Sequence, residues 1–264
     1  MPNYCANYLS VKGLTPSEQA EIKNYLETEA ILQHFVPAPE ELPYSVNVVD
    51  SLEEKRKEAE KYPWWSQRTP EQREEWLSQY VEQKDVQPLI DKYGHADGYN
   101  WCIDNWGTKW DVCDSAEVDI ADDTLTCFFT SAWSPPVNGF NAISKLFPNA
   151  TFELCYYEEG YDFTGAARMV GGHLDEFVGT SPSDLMDDWI QANHPELYGD
   201  EDREEEAQEL WYDCSCEVIE QHIASLLDGD PLSPEVIQRR KDEQEKIKQL
   251  IADLKVTNSE AVSS

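Results

Sequence analysis

Tyr99-Asn100-Trp101-Cys102-Ile103-Asp104-Asn105-Trp106-Gly107-Thr108-Lys109-Trp110-Asp111 decides how this chain is read. Three tryptophans fall within ten positions, and a glycine leads out of them into a segment of strand character. Each indole can bury about 150–250 Å², so that much ring area in one corner needs a surface to pack on. The stretch reads as an anchor that seats a long insertion on a sheet, with Trp101, Trp106 and Trp110 mostly buried where the two meet.

Downstream, Trp110–Ile120 alternates. Trp110, Val112, Ala116, Val118 and Ile120 point one way, Asp111, Cys113, Ser115, Glu117 and Asp119 the other, and Asp114 breaks the pattern. That is the signature of a half-buried antiparallel strand. Ala121-Asp122-Asp123 turns the chain, and Thr124–Ala132 returns as a more apolar, central strand. Ser134-Pro135-Pro136 is expected to cap a helix whose inner face carries Val137, Phe140, Ile143 and Phe147. Ala150–Glu158 follows as a strand with Phe152, Leu154 and Tyr156 facing in.

Upstream, Tyr4–Val11 alternates as a strand with Cys5, Asn7, Leu9 and Val11 on one face, and Gly13 ends it. Thr15-Pro16-Ser17-Glu18 is a helix start of capping-box type, followed by a buried stripe of Ile22, Tyr25 and Leu26. Val36-Pro37-Ala38-Pro39 forces an extended exit. Residues 50–98 read as a helical insertion. Within it Thr69-Pro70-Glu71-Gln72 repeats the cap, Trp76, Leu77, Tyr80 and Val81 form a helical stripe, and Trp64-Trp65 seeds a small satellite core.

The order β-α-(insertion)-β-β-α-β is the split βαβ pattern. The predicted fold is therefore α+β and ferredoxin-like: a four-stranded antiparallel sheet with helices on one face. Tyr161–Met169 and His173–Val178, joined at Gly171-Gly172, add edge strands. The core is expected to span residues 1–175. An acidic helical extension packed on it spans 176–256, and 257–264 form a disordered tail. The extension holds a short helix from Ser181-Pro182 with Leu185, Met186, Trp189 and Ile190. A longer helix over Asp200–Leu227 turns Leu210, Trp211, Cys214, Val218 and Ile219 inward. A last helix over Ser233–Lys255 folds back on the acidic helices, so a monomer is expected rather than a homodimer.

Charge bounds the function. The chain of 264 residues carries 53 acids against 20 bases, a net of −33. Binding to nucleic acid needs Lys and Arg to neutralise phosphates, and an anionic membrane surface would repel the chain. A basic protein surface would attract it. The charge is concentrated: Trp110–Gln238 holds 29 acids and three bases, a net of −26. Seven cysteines, with no apolar leader and no membrane-length run, point to free thiols in a reducing cytoplasm.

No residue set points to catalysis or to a cofactor. Cys214-Ser215-Cys216 with His222 gives one thiol pair where a structural zinc site needs four ligands, and reads as buried or free thiols. Glu158, Glu159 and Asp162 beside Gly160 could do acid–base work or hold a divalent ion, and read as an acidic turn. The five histidines share no spacing. The acids Asp200, Glu201, Asp202, Glu204, Glu205 and Glu206, with Asp184, Asp187 and Asp188 on helices and Glu117 and Asp119 on a strand, form the candidate partner-binding array. Alternate carboxylates on a strand repeat every ~6.8 Å, about twice the ~3.4 Å rise per phosphate on one DNA strand.

Met1-Pro2-Asn3-Tyr4-Cys5-Ala6-Asn7 with Leu9, Val11 and Gly13, the Asn105-Trp106-Gly107-Thr108-Lys109-Trp110-Asp111 core of the opening stretch, Thr130-Ser131-Ala132-Trp133-Ser134-Pro135-Pro136, and Glu158-Glu159-Gly160 with Asp162, Phe163 and Gly165 together resemble the plasmid- and phage-encoded YubB-type ferredoxin-like family of unknown function. The resemblance touches most of 1–13 and 99–170 and leaves 175–264 outside. It implies the ferredoxin-like core and a mobile-element origin, and no catalytic residues. The expected function is non-enzymatic: an inhibitor of a host defence or nucleic-acid-binding complex, such as a nuclease, acting through an acidic, DNA-mimicking surface in a bacterial cytoplasm. The alternative is a structural or assembly partner of another mobile-element protein, acidic only for solubility. A divalent-metal enzyme using Glu158, Glu159 and Asp162 comes third.

Overall fold

The computed structural model describes residues 3–199 and 203–227. β1 (Tyr4–Lys12) alternates as read, with Cys5, Asn7, Leu9 and Val11 buried. The amide nitrogen of buried Asn7 donates to the Cys5 carbonyl at 2.8 Å and to Ser131 Oγ at 2.9 Å. Thr15 closes the capping box on α1 (Pro16–Glu27), whose Ile22 and Leu26 are fully buried. α2 (Ile31–Phe35) follows, a turn of helix that the sequence did not signal.

The insertion holds β2 (Asn47–Val49), α3 (Leu52–Ala59), α4 (Pro63–Ser66), α5 (Pro70–Leu77), β3 (Tyr80–Glu82), α6 (Gln83–Tyr93) and α7 (Gly98–Trp106). Thr69 forms its capping box, and Trp64, Trp65, Trp76, Ala59 and Leu77 make the satellite core. The stripe expected of one helix is split: α5 ends at Leu77, and Tyr80 and Val81 lie in β3, which pairs in parallel with β2. An i, i+4 spacing cannot distinguish a continuing helix from a chain that turns into a short strand.

The second half holds β4 (Asp119–Ala121), β5 (Thr124–Ala132), α8 (Val137–Ser144), β6 (Thr151–Glu158), β7 (Phe163–Val170), β8 (His173–Val178), α9 (Pro182–Asn193) and α10 (Glu204–Ser225). The sheet order is β4-β5-β1-β6-β7-β8, with every neighbouring pair antiparallel. Its first four strands give the ferredoxin-like arrangement, and the meander β7–β8 widens one edge.

Two corrections concern this sheet. Trp110–Ile120 is not one strand: only Asp119–Ala121 pairs regularly, and upstream a single bridge joins Cys113 to Thr130. Asp114, which broke the alternation, has φ +50° and accepts a 3.0 Å hydrogen bond from the Thr130 hydroxyl. A left-handed residue interrupts the pleat, so Val112 and Val118 are buried while Ala116 and Ile120 are exposed. The second correction is that helices cover both faces. α1, α2 and α8 bury Ile22, Leu26, Ile31, Leu32, Phe140 and Ile143 with β1 and β5. α10 crosses the opposite face, which explains why β7 is buried on both sides from Thr164 to Met169.

At the anchor, Trp106 is 4 % exposed and its Nε1 donates to the Val36 carbonyl at 2.8 Å. Trp101 stands edge-on to it, ring centres 6.0 Å apart, and is only half-buried, as is Trp110. Trp106 alone therefore meets the expectation of a mostly buried ring. α7 stops because Gly107 takes φ +89°, where a Cβ would also lie 2.8 Å from the Pro135 carbonyl. Ser134 does not cap α8: its hydroxyl donates to the Gly107 carbonyl and locks that turn instead. Among the described residues, no helix is long and apolar enough to cross a membrane.

Candidate functional site: the acidic ridge on the sheet

α10 is pinned across the sheet at four points. The Tyr8 hydroxyl donates to the Glu220 carboxylate, and Cys155 Sγ lies 3.6 Å from the Ile223 carbonyl. Arg168, held at 2.8 Å by Glu153, donates to the Leu227 carbonyl at 2.8 Å, and the Thr180 amide donates to His222 Nε2 at 2.9 Å. Ala207, Ser215, Ile219 and Ile223 form its buried face. Cys214, expected inside, is only partly buried, and Ser215 takes the inner position. Cys214, Cys216 and His222 do not converge: Cys216 is exposed, and His222 is engaged with the Thr180 amide.

With that face inward, Glu206, Glu209, Asp213 and Glu217 fall on the outer face at intervals of three and four, all exposed, and the row runs on to Glu220, whose exposed carboxylate reaches back to Tyr8. Residues so spaced are neighbours along a helix. At about 1.5 Å per residue the row runs about 21 Å. Glu209, Asp213 and Glu217 were not among the sequence candidates. Their i, i+4 spacing was the available signal, and the denser run Glu204–Glu206 drew attention from it.

The candidate residues split into groups. Asp184, Asp187 and Asp188 are exposed on α9, which packs beside α10 through Trp189 and Trp211, ring centres 6.1 Å apart. Asp187 and Glu204 share a cleft of about 390 Å³ with Met186, Ile190, Leu197 and Ala207. Glu205 is exposed, while Glu206 is paired with Arg203 at 2.9 Å. Glu117 and Asp119 lie at the far sheet edge, lining a second cleft that also contains Leu227. The two groups thus flank opposite ends of α10, which joins them along about 33 Å. Asp200, Glu201 and Asp202 lie outside the described residues, as does the expected helix over 233–255 and the tail after it.

The expected row of alternate carboxylates on Trp110–Ile120 is reduced to Glu117 and Asp119. Asp111 turns inward and accepts the Leu32 and Gln33 amides of α2 at 3.1 and 2.8 Å. Burial pushes its carboxyl above the usual carboxylate range against the pull of those amides.

Pairing divides the chain's acids. In the first half Lys23–Glu27, Lys55–Glu58, Arg56–Glu74, Lys57–Glu53, Lys84–Glu82 and Lys92–Glu41 are ion pairs. Between Pro182 and Leu227 the described residues carry one arginine, Arg203, and it serves Glu206. Asp184, Asp187, Asp188, Glu204, Glu205, Glu209, Asp213 and Glu217 have no basic side chain within ion-pair distance among the described residues.

In the other acid group, Glu158 and Asp162 hold turns in place. Glu158, 4 % exposed, accepts the amides of Gly160, at 2.9 Å, and of Tyr161. Asp162 accepts the Ser183 amide at 2.8 Å and its hydroxyl, tying the β6–β7 turn to the start of α9. Those bonds hold its carboxyl below the usual range, the hydroxyl contributing most. Among the thiols, burial pushes Cys5 up to about 12 and Cys102, Cys127 and Cys155 to about 11.

Residues 105–212 match the family described as the ferredoxin-like domain in Api92-like protein. The match opens in α7, takes in β4 to β8 with α8 and α9, and ends within α10. It therefore reaches beyond residue 170, where the sequence resemblance stopped, and leaves β1, the strand paired with both β5 and β6, outside. A crystal structure of a protein api92 from Yersinia pseudotuberculosis is 13 % identical, with a TM-score of 0.36, covering 67 % of this chain and 98 % of that one. No curated protein matches the chain.

Proposed function

We propose that this chain is a non-enzymatic binding protein whose acidic ridge occupies the basic nucleic-acid groove of a host protein, such as a defence nuclease complex, and excludes its substrate. The observation that carries the reading is the row Glu209, Asp213 and Glu217, without a basic partner among the described residues, on a helix pinned to the sheet. Like charges at i, i+4 destabilise a helix by about 0.2–0.5 kcal/mol per pair. The sheet holds α10 in place against that repulsion, so the charges meet a partner already ordered. A fixed array of one sign steers a basic surface toward it and speeds encounter.

The mimicry is one of field and reach. About 33 Å of helix matches about ten base pairs of duplex at ~3.4 Å each, with fewer charges than the duplex carries. Origin from a plasmid or phage, which the motif resemblance implies, supplies the setting: an entering element meets host nucleases with basic clefts. Such a protein works in the bacterial cytoplasm and touches neither nucleic acid nor membrane itself. The competing reading, an assembly partner of another mobile-element protein, would use the largely apolar cleft of Met186, Ile190, Leu197 and Ala207 instead.

The test is competition. The tagged protein captures partners from a bacterial extract, and each complex is challenged with excess duplex DNA. A partner displaced by duplex DNA and itself able to bind DNA supports the proposal. A partner that duplex DNA leaves in place points to the apolar cleft.

A further inference from the structure

Three turns that the ridge does not use meet at one end of the sheet. Gly107–Trp110 follows α7, Trp133–Ser134 follows β5, and Gly160–Tyr161 joins β6 to β7. Between them lies a cleft of about 460 Å³ lined by Tyr99, Ile103, Lys109, Trp133, Ser134 and Tyr161. Each of the three central motifs singled out in the sequence contributes to it.

The cleft is built rigidly. Thr108 Oγ1 donates to the Ala132 carbonyl and accepts from its amide, both at 3.1 Å. Ser131 Oγ donates to the Ser134 carbonyl at 2.8 Å, and Ser134 Oγ to that of Gly107. Glu158 fixes the third turn through the Gly160 and Tyr161 amides. On this scaffold Trp133 and Tyr161 line the cleft. Trp133 is half-buried at φ +71°, a left-handed conformation that a bulky side chain adopts only under constraint. Its ring centre lies 5.6 Å from that of Tyr161, which is 61 % exposed.

Lys109 supplies the charge. Its ammonium lies 4.1 Å from the ring centre of Trp110 and 5.4 Å from that of Trp133. In a chain of net −33, it has no carboxylate within ion-pair distance among the described residues. An ammonium donates and cannot accept, so a complementary ligand brings an anionic oxygen. The neighbouring rings ask for a flat π surface. The 5.4 Å separation places the anion close to the stacked ring.

We propose that this cleft binds a small ligand that joins a planar aromatic ring to a carboxylate or phosphate, the ring against Trp133 and Tyr161 and the anion on Lys109. Such a ligand could be an aromatic acid or a mononucleotide, since the shared chemistry is ring plus anion. The site is separate from the acidic ridge, so its failure leaves the proposed inhibition standing.

Calorimetric titration of the full chain with indole-3-acetate and with adenosine 5′-monophosphate, against indole-3-acetamide and adenosine, tests this. One of the two anions should bind saturably and at least about tenfold tighter than its neutral counterpart. Which one does so separates an aromatic acid from a nucleotide. Lys109→Met, which keeps the stem against the indoles, should weaken that binding at least about tenfold, and so should Tyr161→Ala, a change at an exposed ring that leaves folding intact. Failure of both anions to bind, equal binding of anion and neutral compound, or unchanged affinity in both variants would overturn the proposal.

Discussion

Trp106→Ala removes the ring that joins the insertion to the sheet. The side chain is 4 % exposed and packs in the main core with Cys102, Val137 and Phe140. Burying about 150–250 Å² of indole at about 25 cal/mol per Å² is worth about 4–6 kcal/mol as an upper bound. Mutational losses for tryptophan in packed cores run about 3–5 kcal/mol. The 2.8 Å bond from Nε1 to the Val36 carbonyl is lost too, leaving that carbonyl unpaired. A net loss of about 4 kcal/mol is expected. At about 2–4 °C per kcal/mol for a chain of this size, the melting temperature falls by roughly 8–16 °C. Far-UV circular dichroism in urea is the assay, because removing an indole alters the fluorescence baseline. An unchanged slope with a lower midpoint is expected; a loss under about 0.5 kcal/mol would show that the anchor is surface decoration.

Two further outcomes follow from the pinning of α9 and α10. Arg168→Met leaves the partly buried Glu153 without its 2.8 Å partner and releases the Leu227 carbonyl, and should destabilise the fold by about 1–3 kcal/mol in chemical denaturation; a change below about 0.5 kcal/mol would mean that α10 is held without it. Asp162→Asn keeps a side chain that tolerates φ +57° but removes the charge at the start of α9, at a cost of about 0.3–1 kcal/mol near neutral pH. Because the Ser183 bonds depress the folded-state value below the unfolded one, that stabilisation is present above the ordinary carboxylate range and is lost as pH falls through the depressed value. The two melting curves should therefore converge in acid, and a constant gap down to about pH 2 would contradict the assignment.

Much of the fold was legible because periodicity and caps are local. Thr15, Thr69 and Ser181 cap the helices they precede, and β1, β5 and β6 alternate where expected. Legibility failed where a residue's role is set by a distant partner. Asp111 faces inward because α2, far upstream, needs its amides covered. Ser134 belongs to Gly107, and His222 to Thr180. The face that α10 covers could not be read from its sequence alone, since a sheet has two faces and the pattern fixes only which side of the helix is apolar. For the same reason the run Glu204–Glu206 looked like the heart of the acidic site, although Arg203 serves Glu206 and the outward row Glu209, Asp213 and Glu217 lies further along the helix.

The acidic ridge is tested most directly by its on-rate. Glu209, Asp213 and Glu217 are changed together to lysine, a good helix former, on exposed positions of α10. Association with a partner displaced by duplex DNA is then followed by stopped flow at about 50 and about 300 mM salt, where screening lengths differ more than twofold. The wild-type on-rate should fall steeply with salt, and the triple variant should associate at least about tenfold more slowly at low salt while melting within a few degrees of wild type. A wild-type on-rate indifferent to salt, and unchanged by the triple reversal, would contradict electrostatic mimicry.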